Sequence, residues 1–215
     1  MWRDFLRFYR MMFLRFRLGV NLKGARMRAD AARRRETIIA NARHIFAQRG
    51  GDAALETVAA ASGVGIATLY RNFPSRDDLI RAMIDDMVRE ILELVAEARG
   101  SVDKDPAEAW KGLLAGLMDM ELGALTDGLG LQAGTGTGTG EAPPLVQVQQ
   151  PALTALDELL TILKRRNAVQ RSITALGVVV AVATITRPQV AAIREAAPGV
   201  PAQLAEAYFL WSRAG

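Results

Sequence analysis

The chain has no cysteine and a single histidine, His44. The first absence excludes disulfide staples, thiolate nucleophiles, iron–sulfur clusters and cysteine-ligated zinc. The second leaves one imidazole, too few for a histidine metal cluster, and any Ser-His-Asp triad would have to be built around it. No nucleophile motif and no phosphate-cradling glycine loop is present, so the reading is a non-enzyme with no cofactor and no metal. Long apolar runs are also missing. A spanning helix needs about 20 apolar residues, and the longest apolar stretch, Ala175 to Ile185, has the length of a buried core helix. In the first eighteen residues Arg3, Arg7, Arg10, Arg15 and Arg17 interrupt the pattern, and Met11 to Leu14 is too short for the apolar centre of a secretory signal. The expected location is the cytoplasm.

Half of the 215 residues are hydrophobic, enough to bury a core, and the net charge is +4. That charge is unevenly spread. Eight basic residues against the single Asp4 give residues 1 to 29 a local +7, which leaves the other 186 residues at −3. Basic clusters at particular positions therefore matter more than the total. On a helix Arg3, Arg7, Arg10 and Arg17 gather on one side and Phe5, Tyr9, Met12 and Phe16 on another, a pattern suited to an anionic membrane surface or to an arm along DNA. The expectation for residues 1 to 29 is nevertheless a poorly ordered basic extension, with Met27 an alternative start and a membrane not the expected partner.

Periodicity reads as helix for most of the remaining length. Ile38, Ala42, Ile45 and Phe46 form the stripe of an amphipathic helix from Arg33 to Arg49, stopped by Gly50-Gly51. Short helices follow at Leu55 to Ala61 and Ile66 to Asn72, separated by Ser62-Gly63-Val64-Gly65, whose glycines permit a sharp reversal. Ser75-Arg76-Asp77-Asp78 fits a capping box and opens a long helix ending near Gly100, with Ile80, Met83, Ile84, Met87, Val88, Ile91, Leu94 and Val95 as its stripe. Helical spacing recurs around Trp110 to Met118, from Leu153 to Leu163 and at Leu204, Tyr208 and Trp211; Gly177 to Ile185 is ambiguous, since Val178, Val179, Val180 and Val182 favour strand, and is read as a buried helix because no partner strand is evident; alternating Gly and Thr at 134–140 reads as a flexible loop. The fold expected is all-α: an N-terminal three-helix bundle with a helix-turn-helix at residues 30–75, and a C-terminal helical ligand-binding and dimerisation domain at 76–215.

The helix-turn-helix carries the functional reading. Ala59 is small where the two helices approach, Gly63 allows the reversal, and Val64 and Leu69 are the apolar plugs. The second helix would enter the major groove of double-stranded DNA. Nearby, Arg33-Arg34-Arg35 supplies charge, with Arg33 and Arg34 the candidates for phosphate contact. The stretch LETVAAASGVGIATLYRNFPSRDDL, Leu55 to Leu79, resembles the TetR/AcrR family of bacterial transcriptional regulators. That resemblance implies DNA contacts from Gly65, Ile66, Ala67, Thr68, Tyr70, Arg71 and Asn72, and a phosphate grip by Arg76 at the start of the next helix. Departures are Ala67 where relatives often carry glycine, Asn72 where many carry histidine, and Ala53-Ala54 in place of a hydroxyl cap, for which Asp52 is a possible substitute.

The resemblance further implies a homodimer on a palindromic operator, acting as a repressor released by a small-molecule effector. Candidates for the dimer face are Ile173, Val180, Leu204, Tyr208 and Trp211, and for an effector pocket Met83, Met87, Trp110, Leu114 and Met118, whose apolar character suits an uncharged, apolar compound. His44 reads as a helix-surface residue, and Asp77-Asp78 and Asp85-Asp86 as solvated pairs, since adjacent helical residues do not share a face. The rival classes are a helical small-molecule or lipid-binding protein and a membrane-associated protein using residues 1 to 18.

Overall fold

A computed structural model describes residues 22–49, 53–120, 122–124, 144–187 and 195–213. The basic amphipathic pattern at 1 to 18, the Gly-Thr stretch at 134–140 and the Asp52 cap lie outside those residues. Among the described residues every regular element is a helix: α1 Leu22–Arg49, α2 Leu55–Ala61, α3 Ile66–Asn72, α4 Arg76–Ser101, α5 Pro106–Asp119, α6 Pro144–Arg165, α7 Ala175–Ile185 and α8 Val200–Ser212. No helix among them is long and apolar enough to cross a membrane.

The helices begin and end where local chemistry directs. At α4 the Ser75 hydroxyl accepts from the Asp78 amide at 3.1 Å, and the Asp78 carboxylate accepts from the Ser75 amide at 3.1 Å, the reciprocal capping box that the sequence spells. Asp105 caps α5 by accepting from the Ala107 and Glu108 amides, with Pro106 in the first turn where its missing N–H costs nothing. Thr174 caps α7 through the Gly177 amide. The valine-rich α7 is helical although β-branched residues prefer strands, because Val178 and Val182 are buried one turn apart on a single face. α1 starts earlier than the periodicity predicts, at Leu22, so the last part of the expected tail is helical. Its apolar stripe starts only at Ile38; residues 29–37 are exposed. This stretch therefore stands away from the core, which is why hydrophobic spacing does not reveal it.

One continuous core joins the two parts of the molecule. Ile38, Ala42 and Phe46 of α1 pack with Leu55, Val58 and Leu69 of α2 and α3, and Leu79 and Met83 of α4 continue into Trp110, Leu113 and Leu117 of α5 and Leu156, Leu159 and Leu160 of α6. The 26-residue α4 packs against α1, α5 and α6 and so spans both regions, roughly 39 Å at 1.5 Å per residue. The far end of the chain is pinned by a buried hydrogen bond, Trp110 Nε1–H donating to Ser212 Oγ at 2.8 Å. Beside it, the Gln170 amide donates to the Ser212 carbonyl at 2.9 Å, and the Gln170 side chain donates to the Trp211 carbonyl.

Candidate nucleic-acid interface and effector cavity

The turn between α2 and α3 is built by backbone bonds that only one conformation allows. Gly63 N–H donates to the Ala60 carbonyl at 3.1 Å and Val64 N–H to the Ala59 carbonyl at 3.0 Å, the paired bonds of a Schellman helix end. This places Gly63 at φ +65°, in the left-handed region that glycine occupies freely. A Cβ at Gly63 would meet nothing within 4 Å, so the requirement is one of backbone angle and not of space. Val64 then packs partly on the core, and Gly65 is the N-cap of α3, its carbonyl accepting from Thr68 and Leu69.

The seven residues of α3 divide cleanly. Leu69 is fully buried, and half-buried Ile66 also leans on the core. Ala67, Tyr70 and Arg71 face solvent with Gly65 just before them, and Tyr70 is 46% exposed despite its aromatic ring. Thr68 and Asn72 are half-buried, and the Asn72 side-chain amide donates to the Thr68 carbonyl at 2.8 Å. The outward face is thus Gly65, Ala67, Tyr70 and Arg71, flanked by Thr68 and Asn72, whereas Ile66 is partly turned inward. Arg33 and Arg34 are exposed on α1. Their neighbour Arg35 lies with its guanidinium 4.9 Å above the Phe73 ring, which brings the basic run alongside the end of α3.

Arg76 takes a position the sequence does not disclose. Its Nη2 donates to the Ala53 carbonyl at 2.7 Å and its guanidinium lies 5.5 Å from the centre of the Phe46 ring. It therefore ties the first turn of α4 to α1 and to the residue before the N-cap of α2. That N-cap is Ala54, with no side-chain acceptor, as the Ala53-Ala54 pair leads one to expect. A second tie runs from Arg43 of α1 to two carboxylates one turn apart on α4, Asp86 at 3.1 Å and Glu90 at 2.7 Å. Arg89 also pairs with Asp86 and with Glu93, and the Asp86 hydrogen bond holds the Arg89 pKa above its ordinary value. Asp85 faces solvent while Asp86 faces Arg43, so the adjacent acids do divide between faces. His44 is exposed and bonded to Gln48 at 2.9 Å, and among the described residues no group of three acidic, histidine or cysteine side chains is placed to hold a metal.

A cavity lies beside α4, away from most of the residues expected to line one. A space of about 50 Å³ is lined, among the described residues, by Ile84, Met87, Val88 and Ile91 of α4, by Leu122, by Ala152, Leu153 and Leu156 of α6, and by Val179 and Ala183 of α7. Of the expected residues only Met87 lines it. Met83, Trp110 and Leu114 are buried in the core, and Met118 is half-buried against it. The α6–α7 side carries small residues, Ala152 and Ala183, that leave room.

The expected dimer face also needs a correction. Ile173 is buried in the core of its own chain. Val180, Leu204 and Trp211 are exposed, Tyr208 is half-buried with its ring centre 5.7 Å from that of Trp211, and burial raises the Tyr208 pKa. Leu176, 62% exposed, and Leu210 extend this apolar surface of α7 and α8; neither was among the expected residues. Leu176 follows Ala175 in the first turn of α7, and its place four residues before Val180 was the available signal.

With this geometry in view, residues 38–83 match the model of the bacterial regulatory proteins of the tetR family, the segment from the buried stripe of α1 to the first turns of α4. The whole chain is similar to the crystal structure of a TetR transcriptional regulator from Streptomyces coelicolor, at 28% identity and a TM-score of 0.55 over 84% of this chain and 98% of that one. Similar folds occur in a gamma-butyrolactone receptor described as ArpA-like, at 22% identity and a TM-score of 0.51 over 82% and 99% of the two chains. Another is a TetR-family transcriptional regulator from Pectobacterium atrosepticum, at 21% identity and a TM-score of 0.50 over 85% and 94%. No curated protein matches the sequence. Residues 38–83 are thus a tetR-type helix-turn-helix head, and the chain is a DNA-binding transcriptional regulator whose fold is similar to that of TetR regulators.

Proposed function

We propose that the chain is a homodimeric repressor whose two copies of α3 read the half-sites of a palindromic operator, and that an apolar small molecule in the C-terminal helices releases it. The observation that carries this reading is the outward face of α3: Tyr70 and Arg71 stand exposed on a helix whose opposite side is locked by Leu69. In the major groove Tyr70, Ala67 and Thr68 would meet base edges, while Arg71, Asn72, Gly65 and Ile66 shape the approach. Arg33 and Arg34 would neutralise phosphates. Arg76 is assigned here to positioning, through Ala53 and Phe46, in preference to the phosphate grip that the resemblance implies.

Two heads are needed because one short helix makes few contacts. Half-sites about 34 to 36 Å apart raise affinity by joining two weak interactions. The apolar surface of Leu176, Val180, Leu204, Leu210 and Trp211 supports α7 and α8 as the dimer face, since a surface of this kind marks a site of association. The effector reading rests on α4. Ile84, Met87, Val88 and Ile91 line the cavity while Asp86 and Glu90, on the same turns, hold Arg43 of the head. A ligand that displaces these turns therefore favours one head spacing over another, a shift limited by its differential affinity for the two states. Selection from a random duplex library tests this directly. A palindromic sequence bound by a dimer is expected, and enrichment of a single unrepeated half-site would overturn the dimeric reading.

A further inference from the structure

We infer that the cavity takes a slender, uncharged aliphatic chain and discriminates against rings and ions, an inference that rests on the effector reading above. Among the described residues, the ten that line it are aliphatic or methionine, with no aromatic ring and no charged or hydrogen-bonding side chain. An ionised carboxylate or ammonium entering such a space would lose its hydration with nothing to replace it, a penalty of several kcal/mol. An aromatic guest would find no ring on which to stack. The size points the same way: about 50 Å³ accepts a chain of a few methylenes and is small for a fused ring system. Met87 supplies the one flexible lining side chain, able to shift along a longer chain. Binding energy must then come from transfer of methylene groups out of water alone, about fourfold in affinity for each one buried.

The test uses the full-length protein and a series of straight-chain 1-alkanols from butanol to dodecanol, with hexanoate, hexyltrimethylammonium and naphthalene as contrasts, titrated by calorimetry. The expected result is an affinity that rises about fourfold per methylene, levels off once the chain outgrows the cavity, and exceeds that for the charged hexyl compounds and for naphthalene. Filling the space from two helices, with Ala152→Leu on α6 and separately Ala183→Leu on α7, is expected to abolish the chain-length dependence in whichever variant retains its helical circular dichroism and dimeric mass. Equal affinity for naphthalene or hexanoate, no dependence on chain length, or alkanol binding that persists in a folded filled variant would each overturn the inference. Operator release is read separately in the same titration. Alkanols that bind with the expected series yet leave the operator complex intact would support the ligand chemistry and defeat the repressor-release reading.

Discussion

The left-handed glycine in the turn offers a sharp test, because its neighbour two residues on is a glycine for a different reason. At Gly63, φ is +65° and a Cβ would meet nothing within 4 Å, so Gly63→Ala introduces no clash. Its cost is confined to the left-handed backbone, about 1–2 kcal/mol. For a chain of 215 residues that corresponds to a fall in melting temperature of roughly 2–8 °C. At Gly65, φ is −71° with ψ 151°, an extended N-cap with no side-chain acceptor and likewise no atom within 4 Å of an added Cβ. Gly65→Ser there reduces the freedom of the unfolded chain and adds a capping hydroxyl, a gain of about 0.5–1 kcal/mol. Urea unfolding of both variants at one fixed protein concentration, followed by circular dichroism, measures the two signs side by side. If Gly63→Ala is as stable as the parent, or if Gly65→Ser loses as much as Gly63→Ala, the turn does not have this geometry and the orientation assigned to α3 fails with it.

Ser212→Ala removes the acceptor of the buried Trp110 N–H and is expected to cost about 1–3 kcal/mol in the same unfolding assay, whereas an unchanged midpoint would show that the bond does not hold α8 to α5. Arg43→Met keeps much of the side-chain bulk but removes the partner of Glu90 and leaves Asp86 to Arg89 alone; a loss of about 1–2 kcal/mol is expected, with Arg43→Met and Glu90→Gln markedly non-additive in a double-mutant cycle, and strict additivity would contradict the tie. Burial raises the Tyr208 pKa, so above the ordinary tyrosine value near 10 the unfolded chain releases the phenolic proton before the folded one does. Its stabilising contribution is complete below that pH and is lost as pH rises through the folded pKa. Tyr208→Phe should therefore weaken the alkaline loss of stability between about pH 10 and 12, and an identical pH profile would remove Tyr208 as its source.

The helix-turn-helix was readable because each requirement there is local. Two short helices, a glycine at the reversal and the Ser75-Asp78 box are written in consecutive residues, and backbone geometry follows from them with little help from the rest of the chain. The C-terminal half was readable as helices but not as a site. The α4 stripe Ile80 to Val95 is apolar on more than one side, so spacing alone did not show that Met87 lines the cavity beside α6 and α7 while Met83 is buried in the core outside it. That division depends on where the alanines at 152 and 183 fall across helices distant in sequence. Arg76 shows the same limit in the head. The position was conspicuous, but its bond to the Ala53 carbonyl depends on the fold bringing α2 and α4 together. Ile173 was likewise apolar enough for either an interface or a core, and only packing separates the two.

The central claim is that α3 reads base sequence while the basic run of α1 holds the backbone. Binding of the parent, Tyr70→Ala and the double variant Arg33→Ala/Arg34→Ala to a selected duplex and its single-base variants, at several salt concentrations, tests it most directly. The account predicts that Tyr70→Ala alters the ranking of duplexes, with discrimination at the contacted position falling by about 1–3 kcal/mol. The arginine variant should weaken every duplex alike and lower the slope of log affinity against log salt by about 2. A Tyr70→Ala protein that keeps the parent's ranking, with its fold intact, would contradict the placement of α3 in the groove.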